Sequence, residues 1–436
     1  MNIYTGLIVS FLVLVFIVET LADFFNVKNI SNEIPDEFKD VYDKDKYAKS
    51  QNYLKTTAKF SLISSAFFLI VEVIFIICGG FGYADEIARS LSLEITGAAS
   101  NAVVLGLFFA GILTFALQML HIPFSAYFTF VIEEKFGFNK TTVKTFILDL
   151  LKGWAVGAII GGTIFAAVIW FFAYYGKSAW VYAFFAAATF ELFLTFIYPA
   201  TIMPLFNKFT PLEDGELKTS VENYANAEGF EMKGLFKMDG SKRSTKSNAF
   251  FTGFGKLRRI VLFDTLIQKH TVDELTSVLA HEMGHFKLGH IRRQMIFGFV
   301  NLAFMFFALS LFINSAWLFE AFKMQNQSVY AGIIFFGFLY SPLSLIIGII
   351  SSAISRRHEY EADAYAVTTY KKPQSMIDAL KKLSVDNLSN LRPHPFKVFL
   401  EYSHPPTLER IKAIRKIKID RCVLPSDFNH KGYANL

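Results

Sequence analysis

Seven long apolar segments without lysine or arginine constrain this chain more than any other feature of its sequence. Each is roughly 18 residues or longer, about the length that an α-helix needs to cross the hydrocarbon core of a bilayer. The segments comprise residues 3–22, 60–80, 98–120, 153–174, 180–203, 295–312 and 333–354. They predict an all-α membrane protein with seven transmembrane helices.

The composition is typical of a polytopic membrane protein rather than of a large soluble core. Of the 436 residues, 53% are hydrophobic and only 18% are charged. The net charge of +6 does not indicate a nucleic-acid partner, because the basic residues lie at the ends of the apolar segments. The two cysteines, Cys78 and Cys422, predict neither a disulfide nor a metal site of the C-x-x-C kind. The partner that the composition predicts is the lipid bilayer.

The distribution of lysine and arginine predicts the orientation of the spans. Connections 81–97, 175–179 and 313–332 hold one basic residue each, whereas the others lie in the alternate connections or after residue 355. By the positive-inside rule, the N-terminus is then outside or luminal and the C-terminus is cytoplasmic. The N-terminus has no basic region or cleavage site of a removable signal, so we expect the first segment to be a retained span.

Residues 204–294 have the composition of a soluble domain and contain a strong helix signal. Thr271 and Glu274 have the spacing of a capping box, and apolar residues then recur near helical spacing. We expect a helix from Thr271 to about residue 293.

An H-E-x-x-H motif lies on this predicted helix. His281 and His285 are four residues apart, so both imidazoles lie on one face and can bind the same metal ion. Glu282 lies beside them, where it can take a proton from metal-bound water. The motif predicts a zinc hydrolase with one Zn²⁺ per chain.

A catalytic zinc usually has three protein ligands, so the third must lie outside the motif. His290 follows His285 by five residues, out of helical register, and we expect it to face solvent or phosphate headgroups. After the seventh apolar segment, Glu359 and Asp363 share one helical face while Glu361 points away. One of the two carboxylates would bind the metal and the other would accept the outer N–H of a ligand histidine. The alternative is a solvated, charged helix start.

Two short strands are predicted at residues 248–253 and 259–263, joined as a β-hairpin. The hairpin either caps the soluble domain or provides an edge strand that binds an extended peptide by β-augmentation. The second interpretation is favoured, because a peptidase must hold its substrate extended. The candidate substrate-binding residues are Asn248, Ala249, Phe250 and Gly253.

A turn near the end of the chain contains a further candidate. His404 precedes two prolines, which hold it in a rigid, extended turn. It could donate a hydrogen bond to the oxyanion of a tetrahedral intermediate, with Arg410 orienting it or pairing with a carboxylate. The alternative is a structural turn before a helix.

Three motifs in this order, HEMGH, SRRHEYEADAYA and SHPPTLER, resemble those of the type I CAAX prenyl proteases. These are integral-membrane zinc metalloproteases that process farnesylated proteins. The segments SKRSTKSNAFFTGFGKLRRIVLFDTL and IEEKFGFNKTTVKTF resemble the same family, so the likeness extends from about residue 120 onward. The H-E-x-x-H and E-x-x-A-D pair is shared with a wider group that includes membrane quality-control proteases.

The resemblance implies roles for the residues of the metal site. His281, His285 and Glu359 would be the zinc ligands, and Glu282 would be the general base. Asp363 would be a hydrogen-bond partner of the ligands. Zinc would lower the pKa of a bound water and polarise the scissile carbonyl.

The resemblance also implies residues around the substrate and a fold. His404 and Arg410 would be catalytic residues near the scissile bond, and Asn248 and Ala249 would lie on the substrate-binding edge strand. The seven spans would form a barrel around a large water-filled chamber. A cytoplasmic zinc-protease domain with a small β-sheet would close one side of it.

The predicted organisation has four parts: 1–203 with the first five spans, 204–294 with the edge strand and the H-E-x-x-H helix, 295–354 with the last two spans, and 355–436 with the remaining site residues. The predicted function is peptide-bond hydrolysis, and the resemblance implies removal of the C-terminal tripeptide from prenylated proteins and cleavage at further N-terminal sites. The membrane would be the bacterial inner membrane or the endoplasmic reticulum, according to the source. Two alternatives are a quality-control protease for unfolded membrane proteins and a non-catalytic transporter or lipid-binding protein.

Overall fold

The computed structural model describes residues 2–97, 101–252 and 259–418, and this part of the chain is mostly helical. In chain order the helices are α1 (Ile3–Lys28), α2 (Lys44–Ile77), α3 (Gly80–Thr96), α4 (Ala102–Tyr127), α5 (Val143–Tyr175), α6 (Ala179–Ile197), α7 (Met203–Phe206), α8 (Glu216–Ala227), α9 (Asp264–Ile267), α10 (Val272–Lys287), α11 (His290–Phe312), α12 (Ala316–Ala321), α13 (Val329–Tyr370), α14 (Pro373–Asp386), α15 (Pro395–Glu401) and α16 (Thr407–Lys416). The strands are β1 (Phe209–Pro211), β2 (Gly234–Met238), β3 (Ala249–Thr252) and β4 (Arg259–Phe263).

Seven of the described helices are long and apolar enough to cross a membrane, as the sequence predicted. They are α1, α2, α4, α5, α6, α11 and α13, of which α4 continues as a wider π-helical turn through Glu133. The three short luminal or outer connections of the prediction are only partly loops. The first of them, residues 81–97, is almost entirely the helix α3.

The seven spanning helices form a closed ring of neighbours. The contacts join α1 to α2, α4 to α5, α5 to α6, α6 to α11, and α13 to both α11 and α1. Aromatic contacts join α2 to α4, where the Phe68 ring stacks on His121 with the centroids 3.9 Å apart. Only 6–17% of each span's most apolar window is buried, so both the inner and the outer faces of the ring are largely uncovered. This arrangement confirms the predicted barrel of helices around an interior chamber.

One end of the ring is covered by α3 and the short helix α12. The Phe322 ring, just after α12, stacks on Phe335 of α13 with the centroids 4.1 Å apart, and Phe81 of α3 packs edge-on against Phe322. These rings belong to a buried apolar core that also contains Phe109 of α4 and Ile169 of α5. The burial of these side chains closes this end of the ring.

The last span is one continuous helix of 42 residues, α13. At a rise of 1.5 Å per residue it is about 63 Å long, roughly twice the thickness of the hydrocarbon core. It ends at Lys371, which is in the left-handed conformation, with Pro373 shortly after it. The domain boundary predicted at residue 354 falls within this helix, so the last span and the segment that carries Glu359 are one element.

The helix of the H-E-x-x-H motif begins as predicted and ends earlier than predicted. Both hydrogen bonds of the capping box between Thr271 and Glu274 are present at the start of α10. The expectation of a single helix to residue 293 is wrong, because Gly289 has a φ of +72° and breaks the helix after Lys287. Glycine reaches this left-handed conformation without the steric cost that a Cβ would bring. The spanning helix α11 then starts at His290 in a new direction.

A four-stranded sheet with the order β1-β2-β4-β3 packs beside α10. The predicted antiparallel pairing of β3 with β4 is confirmed, and β3 is an edge strand. The tip of the predicted hairpin, which includes Gly253, lies outside the described residues. The sequence did not predict the parallel pairing of β2 with β4. The sheet, α8 and α10 share one buried core.

Candidate metal centre

His281 and His285 of α10 and Glu359 of α13 bring three ligand atoms together. The two Nε2 atoms are 3.1 Å apart, and the Glu359 carboxylate oxygens lie 3.4 Å from His281 Nε2 and 3.3 Å from His285 Nε2. The two histidines come from adjacent turns of one helix, and the carboxylate comes from a helix that packs against it. The structure therefore brings together the three residues that the resemblance implied.

The spacing of these atoms fits a tetrahedral metal ion. Bonds from zinc to nitrogen and carboxylate oxygen are about 2.0–2.2 Å long, so neighbouring ligands of a tetrahedral ion lie about 3.3–3.6 Å apart. One carboxylate oxygen, Glu359 Oε2, is buried and has no hydrogen-bond partner among the described residues, although Arg410 Nη1 lies 3.2 Å from it. The Nε2 atoms of His281 and His285 also approach each other to 3.1 Å, and a cation between these donor atoms would compensate the buried polar groups. The residues present thus fit a bound metal with a nitrogen- and oxygen-donor set.

Asp363 and Arg410 form a buried charged network behind His281. The Asp363 carboxylate lies 2.9 Å from His281 Nδ1, so it can accept the outer N–H of this histidine. Arg410 donates two hydrogen bonds to Asp363, at 2.8 and 2.6 Å, and its Nη1 lies 3.2 Å from Glu359. Burial alone would raise the pKa of Asp363, but the Arg410 charge and its hydrogen bonds outweigh burial and lower it. Asp363 is thus held as a carboxylate.

Glu282 differs from the other acidic residues of the site because its carboxylate makes no ion pair or hydrogen bond within the described residues. Burial raises its pKa above the ordinary glutamate value, although the neighbouring His281 and His285 act in the opposite direction. A carboxylate with a raised pKa and no fixed partner is suited to accept and return a proton.

His404 lies at the open side of the cluster. Its Nε2 is 3.4 Å from Glu359 Oε1, its Nδ1 is 3.0 Å from Ser403 Oγ, and 65% of its side chain is exposed. The turn that holds it is fixed by Arg356, which donates to the Tyr402 carbonyl at 2.6 Å. Of the two predicted roles of Arg410, pairing with carboxylates is the one that the contacts match. His404 remains accessible to a peptide.

Two further histidines beside the site were not recognised from the sequence. The expectation that His290 faces solvent or headgroups is wrong, because His290 is only 1% exposed. Its Nδ1 lies 3.0 Å from Nδ1 of His285, and its ring stacks on that of His358 with the centroids 4.1 Å apart. The left-handed turn at Gly289 folds His290 back against α10. The glycine before His290 was the sequence signal for this turn.

The edge strand β3 packs against the metal-binding helix through Phe251, whose ring lies 6.3 Å from that of Phe286. The Phe263 N–H donates to the Asn248 carbonyl at 3.1 Å, so Asn248 and Phe250 turn their backbone groups towards β4. Ala249 and Phe251 then turn theirs towards the open edge of the sheet. The predicted strand residues Asn248, Ala249 and Phe250 therefore lie beside the helix of the motif, with β3 starting at Ala249.

A ring of seven apolar helices and a two-histidine, one-carboxylate cluster with an adjacent glutamate define an integral-membrane metallopeptidase. Comparison with known proteins supports this class. Residues 23–208 match the model of the CAAX prenyl protease N-terminal region with five membrane helices, and residues 211–418 match the model of peptidase family M48.

Similar proteins share most of their length with the chain. The CAAX prenyl protease 1 of Saccharomyces cerevisiae is 36% identical over 95% of this chain and 96% of its own. The CAAX prenyl protease 1 homolog of Homo sapiens is 31% identical over 89% of this chain and 90% of its own. The crystal structure of S. mikatae Ste24p superposes with a TM-score of 0.89 at 34% identity, covering 95% of this chain and 99% of that one.

The chain therefore belongs to peptidase family M48, in its CAAX prenyl protease branch. The resemblance seen in the sequence is confirmed. Membership makes the chain a membrane zinc metalloprotease rather than a transporter or a non-catalytic lipid-binding protein.

Proposed function

We propose that the chain is an endopeptidase with one zinc ion bound by His281, His285 and Glu359. The observation that carries this proposal is the mutual spacing of the three ligand atoms, 3.1–3.4 Å, beside Glu282. Asp363 would keep His281 in the tautomer that leaves its Nε2 free for the metal.

Zinc, when bound there, supplies a Lewis acid that activates water and polarises a carbonyl. Glu282 accepts the proton of the attacking water and later returns it to the leaving amine, which its raised pKa favours. His404 is exposed and next to the cluster, so it is available to donate a hydrogen bond to the carbonyl oxygen of the substrate. Arg410 holds Glu359 and Asp363 in place and acts through them.

The peptide would bind as an extra strand along the free edge of β3. Ala249 and Phe251 turn backbone groups to this edge, and the strand packs on the same helix that carries the motif. An extended peptide paired there is held by main-chain hydrogen bonds, which do not depend on its sequence. The scissile bond of this peptide would then lie next to His404, whose side chain is exposed.

The substrate class follows from the relatives, which are named CAAX prenyl proteases. We propose that this chain likewise removes the C-terminal tripeptide of prenylated C-a-a-X proteins. A hollow ring of apolar helices that opens on the site would provide a place for a peptide carrying a lipid chain.

This proposal is tested with the purified full chain and C-a-a-X peptides that differ only in farnesylation. Release of the tripeptide from the farnesylated peptide, lost on removal of zinc and restored by its return, is the expected result. Equal cleavage of the unfarnesylated peptide would contradict the substrate class. Preferential cleavage of an unfolded membrane protein would instead support the quality-control function.

The site would face the cytoplasm, with the N-terminus outside or luminal. The support is the positive-inside rule together with the arginine pairs that directly flank the apolar segments 295–312 and 333–354 on the side of the site. These are Arg292, Arg293, Arg356 and Arg357.

Thiol labelling in intact cells tests the orientation. Single cysteines would replace Gln327, which is exposed before α13, and Asp214, whose side chain is 95% exposed on the side of the site. Both native cysteines, Cys78 and Cys422, are first changed to serine. In a plasma membrane, a membrane-impermeant reagent should label position 327 from outside and position 214 only after permeabilisation. The reverse pattern would invert the topology.

A further inference from the structure

A second pair of histidines, His290 and His358, lies buried behind the metal centre without a role in the proposed reaction. They are 1% and 3% exposed, and their rings are nearly parallel, with an interplanar angle of 8°. Burying polar rings is costly unless their nitrogen atoms have partners. The partners of His290 are therefore informative.

His290 lies between His285, a candidate ligand of the metal centre, and the carboxylate of Glu361. Its Nδ1 lies 3.0 Å from Nδ1 of His285, and its Nε2 lies 3.0 Å from Oε2 of Glu361. The carboxylate can only accept, so Nε2 of His290 carries the proton. In the proposed zinc site, Nε2 of His285 faces the metal together with His281 and Glu359, so the N–H of His285 is on Nδ1. This N–H then donates to Nδ1 of His290.

The surroundings of His290 hold both its ring and its acceptor in place. The ring is almost fully buried and lies face to face with His358. Arg293 and Arg357 lie within 3.3 and 3.0 Å of Glu361 and hold its carboxylate beside His290. The hydrogen-bond chain runs from His285 through His290 to Glu361.

The two ligand histidines reach a carboxylate in different ways. His281 contacts Asp363 directly at 2.9 Å, whereas His285 reaches Glu361 only through His290. We propose that His290 is a positioning residue of the metal centre, which fixes the tautomer and ring orientation of His285 and transmits the hydrogen bond of Glu361 to it. The stacked ring of His358 restrains His290 in this orientation. The proposal rests on the proposed zinc site.

Zinc affinity is the property that tests the relay, measured on the purified full chain by competition with a chelator of known affinity. His290→Phe keeps a ring that can stack on His358 and removes both hydrogen bonds. We expect it to bind zinc about 10–100-fold more weakly, the usual effect of losing an outer partner of a metal ligand. His290→Asn retains an acceptor near the position of Nδ1, so it should recover part of the loss.

A double-substitution cycle separates the relay from a general effect of packing or charge. Glu361→Gln alone should weaken zinc binding, because a neutral amide is a poorer acceptor than a carboxylate. In the His290→Phe background the same change should have almost no effect, since the connection to His285 is already lost. Arg292→Gln is the matched control for charge, because Arg292 is exposed on the same helix turn and makes none of these hydrogen bonds. The zinc affinity of this variant should stay within about twofold of the wild-type value, a much smaller change than that caused by losing a hydrogen-bond partner of a metal ligand.

The outcomes are distinguishable from those of the proposed function. Wild-type protein that binds no zinc, or Glu359→Ala protein that keeps it, would overturn the zinc site itself. Wild-type zinc affinity in a folded His290→Phe or His290→Asn protein would overturn the relay alone. An effect of Glu361→Gln that is equal in both backgrounds would also overturn it. If His290→Phe does not fold, His290→Asn takes its place in the cycle.

Discussion

A buried carboxylate lies beside an arginine near each end of α13. The two sites differ in how many of their polar atoms have hydrogen-bond partners. Near its start, Asp85 of α3 is 1% exposed and accepts hydrogen bonds from Arg89, Asn326 and Tyr330. Tyr330 in turn accepts one from Arg89 at 3.0 Å. Near the other end, Glu359 Oε2 is buried and accepts no hydrogen bond from the described residues, although Arg410 Nη1 lies 3.2 Å away, and the Nε2 atoms of His281 and His285 face each other at 3.1 Å.

This difference separates a structural network from a site that requires a ligand. Both oxygens of Asp85 accept hydrogen bonds, so the Asp85 network stabilises the contact of α3 with α13. At the candidate metal centre, the two Nε2 atoms and the Glu359 carboxylate converge on one point, and a metal ion would satisfy all of them at once. A buried charge on its own therefore does not identify a functional site. Convergent polar atoms without partners do.

The largest expected effect is on turnover at the candidate metal centre. Glu282→Gln should lower kcat by about 10²- to 10⁴-fold, because the amide cannot accept the proton of the attacking water. Zinc content should stay that of the wild type, since all three ligands remain. Peptidase assays on protein with measured zinc content check this expectation. Near-normal turnover in the zinc-loaded variant would remove Glu282 from the mechanism.

The next effect distinguishes two glutamates on the same helix. Glu359→Ala should lose zinc on dialysis, because a ligand is gone. Glu361→Ala should retain zinc at saturating concentration, with an affinity lowered by no more than the 10–100-fold of an outer partner. Metal analysis of both purified variants provides the comparison. Loss of zinc from Glu361→Ala with retention in Glu359→Ala would reverse the assignment.

Local sequence patterns predicted the spans, the capping box and the two histidines of the motif, and they limited the third ligand to Glu359 or Asp363; the resemblance to a family chose between these two. Each depends on neighbours in the chain: an apolar run, a Thr271–Glu274 spacing, or a helical register that brings Glu359 to the face of Asp363. The Asp85 network joins Asp85 to Tyr330, 245 residues away, and no local pattern encodes that contact. His290 was misplaced because the short turn at Gly289 was taken as helix. The parallel pairing of β2 with β4 is likewise a long-range contact.

Substitutions in the Asp85 network should change the stability of the protein rather than its metal binding. Asp85→Ala removes the acceptor that Arg89, Asn326 and Tyr330 share, so it should cost about 2–4 kcal/mol, as expected for losing charged hydrogen bonds in a buried network. Tyr330→Phe removes only one hydroxyl and should cost about 1–2 kcal/mol. Both losses appear as a lower thermal midpoint of the purified protein. A matching loss of zinc from the folded Asp85→Ala protein would show that the two ends are coupled.

The smallest effect is expected for Arg357, an exposed partner of Glu361 beside the candidate metal centre. Arg357 pairs with Glu361 at 3.0 Å, but 63% of its side chain is exposed, and water screens most of the attraction. Glu361 also keeps its contacts with His290 and Arg293 when Arg357 is removed. Arg357→Gln should therefore change stability by no more than about 0–1 kcal/mol, and the difference from wild type should shrink further in high salt. Thermal midpoints measured at low and high salt test this. A loss as large as that of Asp85→Ala, unchanged by salt, would mean that Arg357 belongs to the buried network and that its exposure is a poor guide to its role.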